Sequence, residues 1–229
     1  MKKFRYILFC LPALLCVACD SNIIDEYELG AKLNFYSYRT VNNVPEMLCH
    51  FSDEDYVNGV TEKLDSVRVD IMDVAEEKER PFYCKTDFQE NEPHVKVLLE
   101  DQYVMPSGKY SVYIRFKVLP PSVFGARHLT NIRFDEVKNT VNFTPGLTER
   151  QTCIVNCSFL IRPDVWHDSF WGTYSNGKYK FMMDEFKAVY GNIKRNNVNK
   201  TFIKAQYEEY RKTNPPIMDD QIPAQEIKF

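Results

Sequence analysis

A cysteine that follows a small residue, an apolar run and a basic head can carry a lipid. Cys19 stands in this position, because Ala18 precedes it, residues 6–15 are apolar and residues 1–5 contain three basic side chains. This order is typical of a bacterial secretory signal that ends in a lipoprotein cleavage site. It predicts cleavage before Cys19, attachment of diacylglycerol and palmitate-type acyl groups there, and export of the chain that follows.

This segment departs from the usual lipoprotein signal, so an alternative to lipidation at Cys19 stays open. The usual lipoprotein signal has Leu three positions before the lipidated cysteine, whereas this chain has Cys16 there. Cys16 is itself the poorer lipid site, because bulky Leu15 precedes it. The alternative is an ordinary signal that is cleaved without lipidation. A transmembrane anchor is disfavoured, because residues 6–18 fall short of the roughly 20 apolar residues that a spanning helix needs.

Residues that could support catalysis or metal binding are scattered. No metalloprotease-like pair occurs among the four histidines, His50, His94, His128 and His167. The acidic run Asp53-Glu54-Asp55 resembles a calcium loop, but Leu64 occupies the position where an EF-hand has its bidentate glutamate. The chain also lacks a nucleophile elbow and a phosphate-binding glycine loop. We therefore expect no metal, no cofactor and no enzymatic activity.

One aromatic cluster could bind a ligand. Its four members are Trp166, Phe170, Trp171 and Tyr174. Their rings could stack on the apolar C–H faces of sugars. They could equally pack helices against a β-domain, because aromatic rings bury large apolar areas. The packing role is favoured, and glycan binding is the alternative.

The cysteines beyond the signal allow three disulfide pairings in an oxidising compartment. They are Cys49, Cys84, Cys153 and Cys157. If Cys153 and Cys157 lie on one strand, they share a face at a separation of about 13 Å, too far for a disulfide with each other. We expect buried thiols or one incidental disulfide.

The charge balance argues against two kinds of partner. The chain has 29 basic and 32 acidic residues, for a formal net charge of −3. Residues 1–18 contain three basic and no acidic side chains, so their removal makes the charge about −6. Nucleic acids and anionic membrane surfaces attract basic stripes, and this balance argues against both. The predicted contact with the membrane is through the lipid alone.

The chain after the signal divides into regions that differ in the pattern of polar and apolar residues. Residues 19–30 are acidic and polar, which predicts a flexible tether after the lipid. Residues 31–161 alternate polar and apolar side chains, most clearly over residues 110–118. About seven such strands, including segments at 81–86, 95–99, 128–134 and 152–161, favour an immunoglobulin-like β-sandwich. A barrel is the alternative, since strand count does not determine closure.

Residues 162–229 change to helical spacing. One apolar series ends before Gly191, which predicts the end of a helix there; it comprises Tyr179, Met182, Met183, Phe186 and Tyr190. A second series follows a predicted N-cap at Asn199; it comprises Phe202, Ile203, Gln206, Tyr207 and Tyr210. Residues 226–229 are a candidate edge strand. We expect two helices packed on the β-domain as a C-terminal appendage.

Several short motifs, taken in order, resemble a Bacteroidetes outer-membrane lipoprotein family known as domain of unknown function 4843. They are Asp65-Ser66-Val67, Tyr103-Val104-Met105-Pro106-Ser107-Gly108, Asn142-Phe143 with Gly146 and Arg150, Arg162-Pro163-Asp164-Val165-Trp166, Gly172 with Tyr174-Ser175 and Lys178-Tyr179-Lys180-Phe181, and Met218-Asp219-Asp220. The chain departs from the family in its cysteine-containing lipid signal and in having Trp166 without a neighbouring tryptophan.

The resemblance implies an outer-membrane lipoprotein that faces the periplasm or the cell surface and assists a nutrient-uptake system. It supplies no catalytic residues. Together with the lipid signal, it predicts a non-enzymatic accessory or binding component of an envelope complex with a protein partner. A glycan-binding lipoprotein that uses residues Trp166 to Tyr174 is the alternative.

Overall fold

Alternating side chains build the sheets of this mainly β protein. The computed structural model describes residues 30–73, 75–160 and 162–229. Cys19, the predicted signal and residues 19–29 of the predicted tether lie outside the described residues. Ala31–Phe229 forms one compact unit. Its described residues contain twelve strands rather than about seven, because several are two- or three-residue segments with weak sequence signals.

The first sheet contains five strands in the order β11-β1-β4-β9-β7. They are β1 (Lys32–Tyr36), β4 (Lys63–Met72), β7 (Val97–Leu99), β9 (Ser111–Val118) and β11 (Thr144–Pro145). The central strands β4 and β9 show the predicted alternation. Val67, Val69 and Ile71 are buried, as are Ile114 and Phe116. The intervening polar side chains lie on the outer face.

The second sheet has the order β2-β3-β12-β10-β6. Its strands are β2 (Thr40–Val41), β3 (Val44–Ser52), β6 (Cys84–Asp87), β10 (Arg127–Phe134) and β12 (Thr152–Leu160). Strands β3 and β12 are parallel, whereas β10 and β12 are antiparallel. Phe35 of the first sheet stacks on Phe134 of the second, with ring centroids 4.1 Å apart. The two sheets therefore share one core.

A small third sheet pairs β5 (Arg80–Phe82) with β8 (Tyr103–Met105). The single strand predicted at 81–86 is divided at Tyr83 between this sheet and β6. The physical cause is Asn139, whose side chain accepts a hydrogen bond from the Tyr83 N–H at 2.8 Å and donates to its carbonyl at 2.9 Å. These bonds replace the ladder hydrogen bonds that a continuous strand would make.

Five α-helices lie in the described chain: α1 (Asp53–Val57), α2 (Glu136–Asn139), α3 (Asp168–Trp171), α4 (Asn176–Phe186) and α5 (Asn197–Arg211). The apolar faces of α4 and α5 enter the same core as the sheets, with Met182 and Ile203 fully buried.

Three predicted helix and strand boundaries were wrong. The N-cap of α5 is Asn196, whose side chain accepts a hydrogen bond from the Asn199 N–H at 2.8 Å. Helix α4 ends at Phe186, because Lys187 adopts a left-handed conformation with φ of 52°. At the C-terminus, residues 226–229 form no strand, and an isolated bridge joins Met218 to Glu226.

Candidate functional site

Strand register places three large side chains in a row on the outer face of the first sheet. Tyr36 of β1 lies opposite Arg68 of β4, and Arg68 lies opposite Tyr113 of β9. Side chains of directly opposed residues project to the same face and interact. The Arg68 guanidinium lies over the Tyr36 ring, 5.1 Å from its centroid. The sheet thus aligns residues that are far apart in sequence.

Two more residues extend this row. Tyr38 packs edge-on against Tyr36 with ring centroids 5.5 Å apart, and 94% of Tyr38 is exposed. Arg39 follows Tyr38, and Tyr113 at the other end is 64% exposed. We call Tyr36, Tyr38, Arg39, Arg68 and Tyr113 the tyrosine–arginine surface. They border a cleft of about 320 Å³, which is within the size range of small-ligand sites.

Both arginines of the surface are held by carboxylates. Arg68 donates from Nε to Asp70 Oδ1 at 2.6 Å, and this hydrogen bond raises the pKa of the Arg68 guanidinium. Arg39 donates from Nε to Glu46. A side chain already held in place loses less conformational entropy on binding. The surface is therefore partly organised before any partner arrives.

Glu46 connects this surface to the interior. Its carboxylate is buried and accepts a hydrogen bond from the Asn156 side-chain amide at 2.7 Å. The Arg127 guanidinium lies 3.7 Å away. Burial acts to raise the pKa of Glu46, but hydrogen bonds from Asn156 and Arg39 outweigh it and lower the pKa. The ionised carboxylate holds Arg39 at the edge of the cleft.

The four residues of the predicted aromatic cluster differ in burial, and Trp171 is the one that is fully buried. Trp171 is 1% exposed and packs edge-to-face on Phe170 at 4.7 Å. Trp166 is half-buried; its indole N–H donates to the Gly172 carbonyl at 2.8 Å, and its ring contacts Tyr174 at 5.2 Å. The structure therefore brings the four together as two pairs. Because Trp171 is buried, it cannot stack on a ligand at the surface.

Below this cluster lies an ionisable group that sequence reasoning missed. Lys178 is buried, and its Nζ donates to the carbonyls of Trp171 at 2.7 Å and Thr173 at 3.1 Å. Burial lowers the pKa of Lys178 to about 8. The position lies within the apolar pattern of α4, which gives no indication that a charged group is enclosed there.

A second cleft of about 440 Å³ is lined mainly by polar residues, among them Asp53, Arg162, Asp164 and His167. Asp53 is already engaged, because it accepts a hydrogen bond from the Tyr179 hydroxyl at 2.7 Å. That hydroxyl also accepts from the Tyr190 N–H at 2.8 Å. The Asp53 carboxylate thus joins α1 to α4, and this contact gives it a structural role.

The remaining sequence candidates have local roles. The acidic run at Asp53–Asp55 begins α1, where Ser52 and Asp55 form a capping box. His50 hydrogen bonds to Ser158 at 2.7 Å, and His94 stacks on Phe88 at 4.0 Å. Over residues 30–73, 75–160 and 162–229, no three histidine, cysteine or acidic side chains group as metal ligands would. No helix in the same ranges is long and apolar enough to cross a bilayer.

Comparisons with known proteins give distant structural likenesses. No protein-family model and no curated protein match the chain. Two Bacteroides ovatus proteins of unknown function are similar at 7% identity, with TM-scores of 0.38 and 0.37. The similarity covers 56% and 58% of this chain but 44% and 47% of theirs, so the chain spans less than half of their length. The apo-form Calx CBD1 domain has 14% identity and a TM-score of 0.35, over 57% of this chain and 97% of that domain.

Proposed function

We propose that this chain is a non-enzymatic lipoprotein of the bacterial outer membrane. It would serve as an accessory or binding component of an uptake or assembly complex, facing the periplasm or the cell surface. The signal pattern ending at Cys19 supports the lipid anchor, and the acidic segment at residues 19–30 supports a tether. The ordered motifs shared with domain of unknown function 4843 support the same role. Its partner would be another envelope protein.

The tyrosine–arginine surface is the observation that carries the binding role. Tyrosine and arginine are enriched at the energetic centres of protein interfaces, because they combine large contact areas with directed hydrogen bonds. Here Tyr36, Arg68 and Tyr113 stand on three paired strands, and carboxylates hold both arginines of the surface. A rigid sheet reduces the entropic cost of association. The surface suits a protein segment that offers acidic or aromatic side chains.

The same proposal includes the finer architecture. The two five-stranded sheets would form an immunoglobulin-like sandwich over residues 31–161, with the helices of residues 162–229 packed on it as an appendage. The contact between Phe35 and Phe134 supports face-to-face packing of the sheets. The burial of Met182 and Ile203 within the common core supports docking of the helices.

Glycan binding is the second candidate, now at the tyrosine–arginine surface rather than at the buried Trp171. The exposed rings of Tyr38 and Tyr113 beside the cleft favour it. Tyrosine faces can stack on sugar C–H groups, while guanidinium groups donate to hydroxyls or carboxylates. A glycan array probed with the wild-type chain and with Tyr113→Ala tests this. Binding that is lost in the variant supports it, and silence of the wild-type chain contradicts it.

Cell fractionation tests the anchor. Replacement of Cys19 by serine removes the thiol that would carry the lipid, so Cys19→Ser should leave the membrane fraction or remain unprocessed. Cys16→Ser is the matched control, because it changes a cysteine in the same signal without removing the proposed lipid site. Unchanged membrane retention of Cys19→Ser contradicts the anchor.

Mild crosslinking of intact cells tests the partner. The wild-type chain should yield a defined envelope partner, and Arg68→Ala should reduce that yield about tenfold, as expected for loss of an interface anchor. Arg133→Ala is the matched control. Arg133 is likewise a strand arginine paired with an aspartate, Asp87, but it lies in the other sheet. Recovery of the wild-type chain alone contradicts the accessory role.

A further inference from the structure

Four cysteines lie on strands of the second sheet or in its core, and none is in a disulfide in this structure. Cys49 lies on β3, Cys84 on β6, and Cys153 and Cys157 on β12. The predicted shared face of Cys153 and Cys157 is the buried one, where both are fully enclosed. The fold now determines which of these thiols can meet.

Cys49 and Cys157 are direct neighbours across the parallel pair β3–β12. Residues paired in this register project to the same face, and here that face is the core, where Cys49 is 5% exposed and Cys157 is 0% exposed. Neighbouring strands lie about 4.7–4.9 Å apart. Disulfides join Cα atoms about 4.4–6.8 Å apart, so this pair meets the distance requirement without moving a strand.

The other pairs of cysteines are too far apart for the Cα–Cα distance that a disulfide can span. Cys153 and Cys157 are four residues apart on one strand, or about 13 Å. Cys84 and Cys153 lie on strands separated by β10, or about two strand spacings, roughly 9.5 Å. Cys49 and Cys153 differ by four residues in register. Cys84 on β6 lies two strands from Cys157 and three from Cys49, so it can join neither. Of the possible pairs of these cysteines, Cys49–Cys157 alone meets the distance requirement.

The two thiols already interact. Interaction with the adjacent Cys157 thiol lowers the pKa of Cys49, and the same interaction raises the pKa of Cys157. Burial raises the pKa of Cys153 to about 12 and raises that of Cys84 as well. Thiolates, not thiols, attack disulfides. In the folded chain, Cys49 therefore has more thiolate character than Cys157, which lies beside it.

We propose that Cys49 and Cys157 are a disulfide-forming pair that an envelope thiol–disulfide oxidant joins during folding. One of the two cysteines, as its thiolate, attacks one sulfur of the oxidant's disulfide, forming a mixed disulfide and releasing the oxidant's other sulfur as a thiolate. The other cysteine, after losing its proton, attacks the sulfur of the first cysteine and releases the oxidant sulfur bound there. The chain loses two electrons and two protons, and the oxidant gains them as a dithiol.

This reaction precedes complete folding, because both sulfurs are enclosed in the folded chain. Strand β3 could pair with β12 late in folding, because on its other side it is held only by the two-residue strand β2. Cys49 lies beyond the part of β3 that β2 covers. Once formed, the bond would close a loop of roughly 100 residues and restrict the unfolded chain.

Peptide mapping of the full chain, expressed in bacteria with its signal, tests the pairing. Free thiols are alkylated in denaturant before trypsin digestion without reductant. We expect residues 40–63, which contain Cys49, crosslinked to residues 151–178, which contain both Cys153 and Cys157. Cys153→Ser should keep this crosslink, whereas Cys157→Ser should abolish it and leave Cys49 alkylated. A crosslink from Cys49 to Cys153 contradicts the proposal, and so does alkylation of Cys49 in the wild-type chain if refolding in vitro also gives no crosslink.

A second arm separates this inference from the proposed export. The reduced, denatured full chain is refolded in a buffer of reduced and oxidised glutathione and mapped in the same way. A crosslink between Cys49 and Cys157 after refolding supports the pairing even if these thiols are reduced in the cellular sample. Reduced thiols in the cellular sample would then contradict export, not the pairing. Failure to form the crosslink in both samples overturns the pairing.

Discussion

Two groups of aromatic residues in this protein differ in how close their members are in sequence and in how exposed they are to solvent. The cluster at residues 166–174 is contiguous in sequence, yet its Trp171 is buried. The tyrosine–arginine surface is dispersed over β1, the segment that follows β1, β4 and β9, yet it assembles as a row with Tyr38 and Tyr113 exposed. The comparison shows that aromatic density along the chain indicates packing here, whereas strand register creates the candidate binding surface.

Truncation of the buried cluster should have the largest effect on stability. Trp171→Ala removes a fully enclosed ring, so we expect the free energy of unfolding to fall by about 3–5 kcal/mol. Urea unfolding followed by circular dichroism measures it. A loss below about 1 kcal/mol would show that the ring does not support the core, and the distinction between the two groups would fail.

Lys178 beneath the cluster should make stability depend on pH. Its pKa is about 8 in the folded chain and about 10.4 when unfolded. Between these values the unfolded chain binds more protons, so the free energy of unfolding rises with pH. Between about pH 8 and pH 10, the free energy of unfolding of the wild-type chain should rise by roughly 2 kcal/mol relative to that of Lys178→Met. A constant difference between the two chains across this range contradicts a buried ammonium.

Glu46, which joins the tyrosine–arginine surface to the core, should have an intermediate effect. Its lowered pKa means that the stabilisation is present above the unfolded value of about 4.3 and is lost as the pH falls below it. Glu46→Gln should therefore cost about 1.5 kcal/mol near neutral pH and progressively less in acid. Glu90→Gln, at an exposed site, is the control and should change stability by less than about 0.5 kcal/mol. Equal losses from Glu46→Gln at neutral and acidic pH would contradict this assignment.

The smallest effect on stability is expected at the exposed end of the surface. Tyr113→Ala should change the free energy of unfolding by about 0.5 kcal/mol or less, because most of its ring is in water. The same substitution should reduce partner binding. A large destabilisation without a binding defect would place Tyr113 with the buried cluster and remove the contrast between the two regions.

Local patterns made part of the fold predictable. The alternation of residues 110–118 corresponds to β9, and the apolar series around Tyr179 and Ile203 correspond to α4 and α5. These patterns depend on neighbouring residues and on burial of one face. The end of α4 was not predictable from Gly191, because it depends on the left-handed conformation of Lys187.

The candidate site was not predictable, because it depends on long-range register. Tyrosine and arginine at polar positions of alternating strands were the available signal at Tyr36, Arg68 and Tyr113. Sequence alone does not state that β4 lies between β1 and β9 or which residues are opposed. The same limit applied to the cysteines, where three pairings remained until Cys49 and Cys157 were placed opposite one another across parallel strands.

The most direct test of the binding surface compares two exposed tyrosines in intact cells. A photoreactive phenylalanine analogue replaces either Tyr113, within the surface, or Tyr110, which is 58% exposed but outside the row. Position 113 should crosslink a defined envelope protein, and Arg68→Ala should suppress this product, while position 110 yields little. Equal products from both positions, or none from position 113, would contradict the assignment of partner binding to the tyrosine–arginine surface.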